Sequence, residues 1–228
     1  MTPVRAVSFV ILLRMKITKL GHCCLLIEEN GVRILTDPGM FTVPAHEVVS
    51  DLNVVLITHE HADHFHIPSL KAILERNPLA KVVCGPDVGE QLLVEGIAHM
   101  VVGDGGRAEE KGVTIEGYGA NHAIVHQSIP QARNTGYFVG GKLFYPGDAF
   151  TDPNRSVDIL ALPTGGPWMK LAEAIDYALA LKPRTAFAVH DFVASEAGQS
   201  ITQRIAGSIL EAQGIELRPV ELNKEYEF

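Results

Sequence analysis

Basic residues are scarce here. Lys and Arg number 19 against 27 Asp and Glu, a formal net charge of −8. Gripping a phosphate backbone takes clustered Lys and Arg, so a nucleic-acid partner is excluded. Cysteine is scarcer still: Cys23, Cys24 and Cys84 form an odd set with two members adjacent, which makes no disulfide framework. All three fall in apolar, strand-like runs, so buried free thiols are expected, favouring a reducing compartment and cytoplasmic localisation. No stretch approaches the roughly 20 apolar residues of a membrane span. Charged residues make up only 20% against 46% hydrophobic, which allows a sizeable core and argues against disorder. A length of 228 residues fits one large domain, or two small halves around a shared core.

The first 14 residues stand apart. Arg5 precedes an apolar run over residues 6–13 that is similar to a short signal-peptide core. No small-residue cleavage site follows, and Arg14, Lys16 and Lys19 come at once. Residues 1–14 are read as an N-terminal extension outside the fold, with export as the alternative, and residues 15–228 as the domain.

Histidine is abundant, at ten residues, and clustered. Residues 58–64 read Thr58-His59-Glu60-His61-Ala62-Asp63-His64 directly after an apolar, β-branched run over 53–57, which has the character of a buried strand. Imidazole and carboxylate suit borderline divalent metals such as zinc. Alternate spacing lets His59 and His61 point the same way from an extended backbone. Asp63 and His64 come past the bend and can face a second ion.

Other candidate ligands follow expected strands. His122 comes after a strand over 113–118, Asp148 after one over 142–145 in Pro146-Gly147-Asp148, and His190 after one over 185–189. His126 competes with His122, which lies nearer its strand end. Together these are five histidines and two aspartates, enough for two metal ions sharing a bridging carboxylate. Hairpins are expected at Asn30-Gly31 and Gly140-Gly141, and helices over 68–76, 86–95, 171–181 and 200–213. Strands followed by helices, twice over, suggest two packed sheets with helices outside.

The order His59-x-His61-x-Asp63-His64, then His122, Asp148 and His190, resembles the metallo-β-lactamase superfamily over nearly the whole chain. Gly21-His22, Thr36-Asp37-Pro38 and the run Leu162-Pro163-Thr164-Gly165-Gly166-Pro167 resemble its small metal-dependent hydrolases related to L-ascorbate-6-phosphate lactonase. The resemblance implies an α/β fold, a four-layer αββα sandwich, with one metal on His59, His61 and His122 and another on Asp63, His64 and His190. Asp148 would bridge them, and Asp63 would serve the nucleophile as well. It implies His22 as a substrate contact or a support near the metals, and Asp37 as the partner orienting a ligand histidine.

Two divalent ions are expected, zinc by default with manganese or iron as alternatives. The activity implied is hydrolysis of a small molecule, a lactone or a phosphorylated metabolite. A phosphodiesterase or phospholipase-like hydrolase, or a non-catalytic metal-binding module, are the alternatives, and homo-oligomerisation stays open. A redox role fits poorly, because flavodiiron-type relatives place a carboxylate where His61 stands. His46, His66 and His99 are expected at the surface, and Trp168 in helix-start packing, with lining of the pocket as the alternative. Lys170, Arg133 and Arg155 are candidates for holding an anionic substrate group.

Overall fold

Half-exposed and buried side chains alternate along β1 (Lys16–Gly21), the period of a strand with one face on a core. The structure is a computed structural model that describes residues 14–228. The extension expected over residues 1–14 therefore lies, save for Arg14, outside the described residues. β2 (Cys24–Glu29) and β3 (Val32–Thr36) form the hairpin expected at Asn30-Gly31, where φ is +50° and +77°. Both signs are those of the two-residue turn that matches strand twist.

A short helix, α1 (Val43–His46), leads to β4 (Val54–Ile57), which lies parallel to β3. Then come α2 (Ile67–Arg76), β5 (Lys81–Cys84), α3 (Pro86–Val94) and β6 (His99–Val101). The second half runs β7 (Arg107–Glu110), β8 (Val113–Tyr118), β9 (Gly136–Val139), β10 (Leu143–Tyr145) and β11 (Ile159–Pro163). It continues with α4 (Leu171–Leu181), β12 (Thr185–Val189), α5 (Glu196–Glu211), β13 (Glu216–Leu217) and β14 (Glu225–Glu227).

One sheet has the order β14-β1-β2-β3-β4-β5-β6 and the other β13-β12-β11-β10-β9-β8-β7. The last strand thus returns to the first sheet and pairs antiparallel with β1. Three apolar clusters define four layers. Ile17, Leu25, Leu56, Tyr137, Tyr145 and Phe187 fill the space between the sheets. Leu35, Val55 and Ile57 pack under α2 and α3 through Leu70, Ile73, Val88 and Leu92. Phe144, Leu160 and Leu162 pack under α4 and α5 through Ala174, Ala178, Ala206 and Leu210.

Strand β4 shows the logic: Val54 and Leu56 face the other sheet while Val55 and Ile57 face the helices. A strand covered on both faces reads as an unbroken apolar run. Truncating Leu56 to Ala would cost about 2–5 kcal/mol. The fold is the expected αββα sandwich.

One local expectation changes. α5 begins at Glu196 rather than Ser200, because Ser195 Oγ accepts a hydrogen bond from Gly198 N at 3.2 Å and caps the helix four residues earlier. β1, for which no strand was expected, carries a buried lysine, Lys19.

Candidate metal centre

Every candidate side chain sits where a strand ends at one edge of the two sheets: His22 after β1, Asp37 after β3, residues 58–64 after β4, His122 after β8, Asp148 after β10 and His190 after β12. The backbone there is held tightly. A Cβ on Gly39 would lie 1.8 Å from the Asp63 carbonyl oxygen, so the Asp37-Pro38-Gly39 turn can press against the histidine loop only with glycine. Gly147, at φ +64°, similarly admits Asn134. The Asn134 Oδ1 accepts from Asp148 N at 3.0 Å and its Nδ2 donates to the Pro146 carbonyl at 2.8 Å. His22, Asp37 and His190 have φ of +43°, +37° and +56°, a left-handed conformation that costs about 1–3 kcal/mol for residues other than glycine and gathers at functional sites.

Two groups of four converge: His59, His61, His122 and Asp148 in one, His22, Asp63, His64 and His190 in the other. In the first, His59 Nε2 lies 3.1 Å from His61 Nδ1, and His122 Nε2 lies 3.2 Å from Asp148 Oδ2. In the second, His22 Nε2 is 3.1 Å and His190 Nε2 3.6 Å from Asp63 Oδ2. Asp148 reaches both groups, with Oδ1 3.2 Å from His64 Nε2 and Oδ2 2.9 Å from His190 Nε2.

Hydrogen-bond partners fix three imidazole tautomers. Asp37 accepts at Oδ2 from the Thr58 hydroxyl at 2.7 Å and at Oδ1 from Thr58 N at 2.8 Å. With its proton committed to Asp37, the Thr58 hydroxyl can only accept from His59 Nδ1, at 3.0 Å. His64 Nδ1 donates to Asp37 Oδ2 at 2.7 Å, and His122 Nδ1 donates to the Ala123 carbonyl. In each ring the neutral tautomer then turns the Nε2 lone pair toward Asp148, at 3.9, 3.2 and 3.2 Å for His59, His64 and His122.

Lone pairs aimed at a buried carboxylate repel unless a cation lies between them. His64 Nε2, His190 Nε2 and Asp148 Oδ1 are moreover buried and, despite their short separations, make no hydrogen bond of good geometry, an arrangement that a bound cation would satisfy. The donor set therefore fits divalent metal, and its nitrogen and oxygen chemistry suits zinc, manganese or iron.

Without metal the charges sort differently. Burial pushes the pKa of His59 well below the usual imidazole range, and that of His61 down, so both are neutral donors. His64 is raised: against the penalty of its burial, Asp148 and Asp37 favour its proton. Asp148 is held well below the carboxylate range, with His64, His122 and His190 outweighing burial. Asp63 is likewise lowered, its burial overcome by the hydrogen bond from His22 and the charge of His64.

Other candidates stay outside. His126 is exposed and bonds Ser128 Oγ at 2.7 Å, so it does not compete with His122. Cys23 approaches His64 and Asp148, but burial pushes its thiol up and keeps it protonated. His66 and His99 are half-exposed. His46, expected at the surface, is fully buried and bonded to Thr42 Oγ1 at 2.9 Å, because α1 tucks its last turn inward.

Trp168 is more than a helix-start residue. Its Nε1–H donates to Asp148 Oδ2 at 2.9 Å, and its ring lies 5.9 Å from that of His122 and 5.8 Å from that of His190. The Gly165-Gly166 turn that delivers it carries no metal-ligand signal, so the sequence offers pocket lining only as the alternative and gives no sign of the bond to Asp148. Tyr145, whose hydroxyl donates to Asp37, was legible only as an apolar strand residue.

The fold and site define a class. Residues 16–190 match the model of the beta-lactamase superfamily domain. The chain belongs to the metallo-β-lactamase superfamily. It is 36% identical over 192 residues to protein Rv0786c of Mycobacterium tuberculosis, covering 82% of this chain and 89% of that one. It is 30% identical over 190 residues to a UPF0173 metal-dependent hydrolase of Thermoplasma acidophilum, covering 77% and 83%. Among solved structures, Igni18, a metallo hydrolase from the archaeon Ignicoccus hospitalis, superposes with a TM-score of 0.74 at 22% identity over 95% of this chain and all of that one.

Proposed function

We propose that the protein is a metal-dependent hydrolase with two divalent cations, most simply zinc. His59, His61 and His122 would hold one and Asp63, His64 and His190 the other, with Asp148 spanning both. The convergence of imidazole lone pairs on the buried Asp148 carboxylate carries this reading. When bound, such ions would lower the pKa of a water from about 15.7 toward about 7 and polarise a substrate oxygen.

The chain's own residues divide the remaining work. His61 and Asp63 are the half-exposed members of the set, so substrate approaches from their side, and Asp63 is placed to accept a hydrogen bond from the attacking water. Asp148, buried, stays ionised and is held by the Trp168 N–H. Asp37 and Thr58 keep the His64 and His59 rings in the donor tautomer.

The preferred substrate is a small, uncharged lactone or ester. Arg133 is engaged by Asp87 at 3.3 Å and Arg155 by Glu116 at 2.6 Å, while Lys170 sits at the start of α4 with its backbone N–H on Glu173. Neither arginine is free as a phosphate anchor. Phe41 and Phe192, both exposed, flank His22 with ring centroids 5.2 and 6.1 Å from it, an apolar wall that suits the substrate's carbon skeleton. The return of β14 to β1 supports a single domain running from residue 15 to the last strand, and three buried free thiols suit a reducing cytoplasm.

The deciding experiment measures metal content and screens lactones, esters and phosphodiesters with zinc, manganese and iron restored to stripped protein. Two metals per chain with lactone or ester turnover is the expected result. Protein that binds no divalent metal, or that turns over only phosphodiesters, overturns the assignment.

A further inference from the structure

Resting on the binuclear reading, we infer that His22 is itself a metal ligand, so that each cation is held by three histidines, with Asp63 on one and Asp148 spanning both. Three imidazole nitrogens fan around a single oxygen, Asp63 Oδ2: His22 Nε2 at 3.1 Å, His190 Nε2 at 3.6 Å and His64 Nε2 at 3.7 Å. Ligand atoms around a tetrahedral ion with bonds of about 2.0–2.1 Å stand about 3.3–3.4 Å apart. His22 meets that spacing as well as His64 and His190 do. The other group repeats the pattern, with separations of 3.1 Å for His59 to His61 and 3.2 Å for His122 to Asp148.

The surroundings of His22 argue against the two roles its motif first suggests. A substrate contact needs an open face, and His22 has none: it is fully buried, edged by Phe41 and lying 4.1 Å from the His190 ring, centroid to centroid. A structural histidine satisfied by backbone needs a partner at Nδ1, and that atom is buried with no hydrogen bond. What the backbone does supply is orientation. His22 takes a left-handed φ of +43°, and its carbonyl accepts from His190 N at 3.2 Å, so two residues with strained backbones are tied together and present their rings side by side. Gly21, at φ +148°, is packed so closely that a Cβ would meet Phe192 and Thr42 at 2.7 Å. The turn is therefore built to place the ring of His22 inward.

Two measurements on the full-length chain test this. Stripped protein is titrated with zinc and its content read by mass spectrometry, for the wild type and for His22→Ala. Wild type is expected to take two ions. His22→Ala should weaken one binding step by more than about 100-fold, beyond the 10–100-fold that losing an outer hydrogen-bond partner costs, while the other step is unchanged. Retention of both ions in His22→Ala with affinity lowered by about 100-fold or less overturns the ligand role.

The second measurement needs no variant, so a misfolded substitution cannot obscure the answer. In cobalt-loaded wild-type protein, metal-bound imidazoles give strongly shifted exchangeable proton signals. Six are expected from His22, His59, His61, His64, His122 and His190, whereas five overturn the proposal. Fewer than two ions in the wild type would instead overturn the binuclear reading beneath it.

Discussion

Lys19 Nζ donates to Asp191 Oδ2 at 2.6 Å and to the Ala188 carbonyl at 3.0 Å, gripping the chain on both sides of His190. The pair joins β1 of one sheet to the end of β12 in the other, and its side chains are only 4% and 14% exposed. It is a clamp across the sandwich behind the candidate centre.

Lys19→Met should therefore destabilise the protein by about 3–5 kcal/mol, the cost of leaving one buried charge without its partner. Asp191→Leu combined with Lys19→Met should recover much of that loss, since both charges are then gone. Urea denaturation of the two variants checks the prediction. Equal destabilisation by the single and double changes would mean that the ion pair is not what holds this junction.

Asp37 is the next point to probe. Its carboxylate accepts four hydrogen bonds, from Thr58 N, the Thr58 hydroxyl, His64 Nδ1 and the Tyr145 hydroxyl. Asn at this position has one acceptor oxygen and turns two donors into the network. Asp37→Asn should lower metal affinity about 10–100-fold by releasing the His64 ring. Tyr145→Phe removes one donor to a charged group and should cost about 1.5–3 kcal/mol of stability with metal binding retained. Zinc titration of both variants separates the two effects.

The contrast between Asp37 and Tyr145 shows what was legible in the sequence. Dense polar residues after an apolar run, such as His59 to His64 after β4, mark both a strand end and a metal-seeking cluster. Their chemistry is written in the residue types themselves. Asp37 could be placed because it stands in a turn motif beside such a run. Tyr145 and Trp168 could not, because an aromatic side chain in a strand or at a helix start is packing by default and becomes a donor only through tertiary contact. Lys19 and His46 mislead for the same reason. Whether a polar side chain is buried depends on a partner distant in sequence, Asp191 in one case, and on how α1 tucks inward in the other.

Trp168 offers both a prediction and a probe. Trp168→Phe keeps an aromatic ring against His122 and His190 but deletes the N–H that reaches Asp148. Hydrogen bonds to charged groups contribute about 1.5–3 kcal/mol, so activity on the preferred ester or lactone should fall about tenfold or more with both metals retained. Because Trp168 is the only tryptophan in the chain, its emission should also shift on metal titration of the wild type. Loss of metal along with activity in Trp168→Phe would mean that the N–H holds the ligand set together rather than tuning it.

The protonation of His64 sets how metal binding responds to pH. In the metal-free protein Asp148 and Asp37 raise the His64 pKa. Its contribution to stability is thus fully present below the unfolded value near 6.5 and fades as pH rises through the folded value. Asp63 and Asp148 are shifted down, so theirs is present above the unfolded value near 3.8 and is lost as pH falls through the folded values. Taken alone, these three groups favour the metal-free fold between about pH 4 and 6.5, whereas His22, His46, His59 and His61, all shifted down by burial, oppose it as pH falls below the unfolded value near 6.5. Metal needs His64 neutral at Nε2, so binding at pH 7 should release about one proton from that ring, in addition to any released by water. Titration calorimetry in buffers of different ionisation enthalpy reads that number directly. Affinity should rise with pH across the neutral range. A heat of binding that is independent of the buffer would show that His64 is already neutral, and that Asp148 faces the metal-free pocket without a proton to balance it.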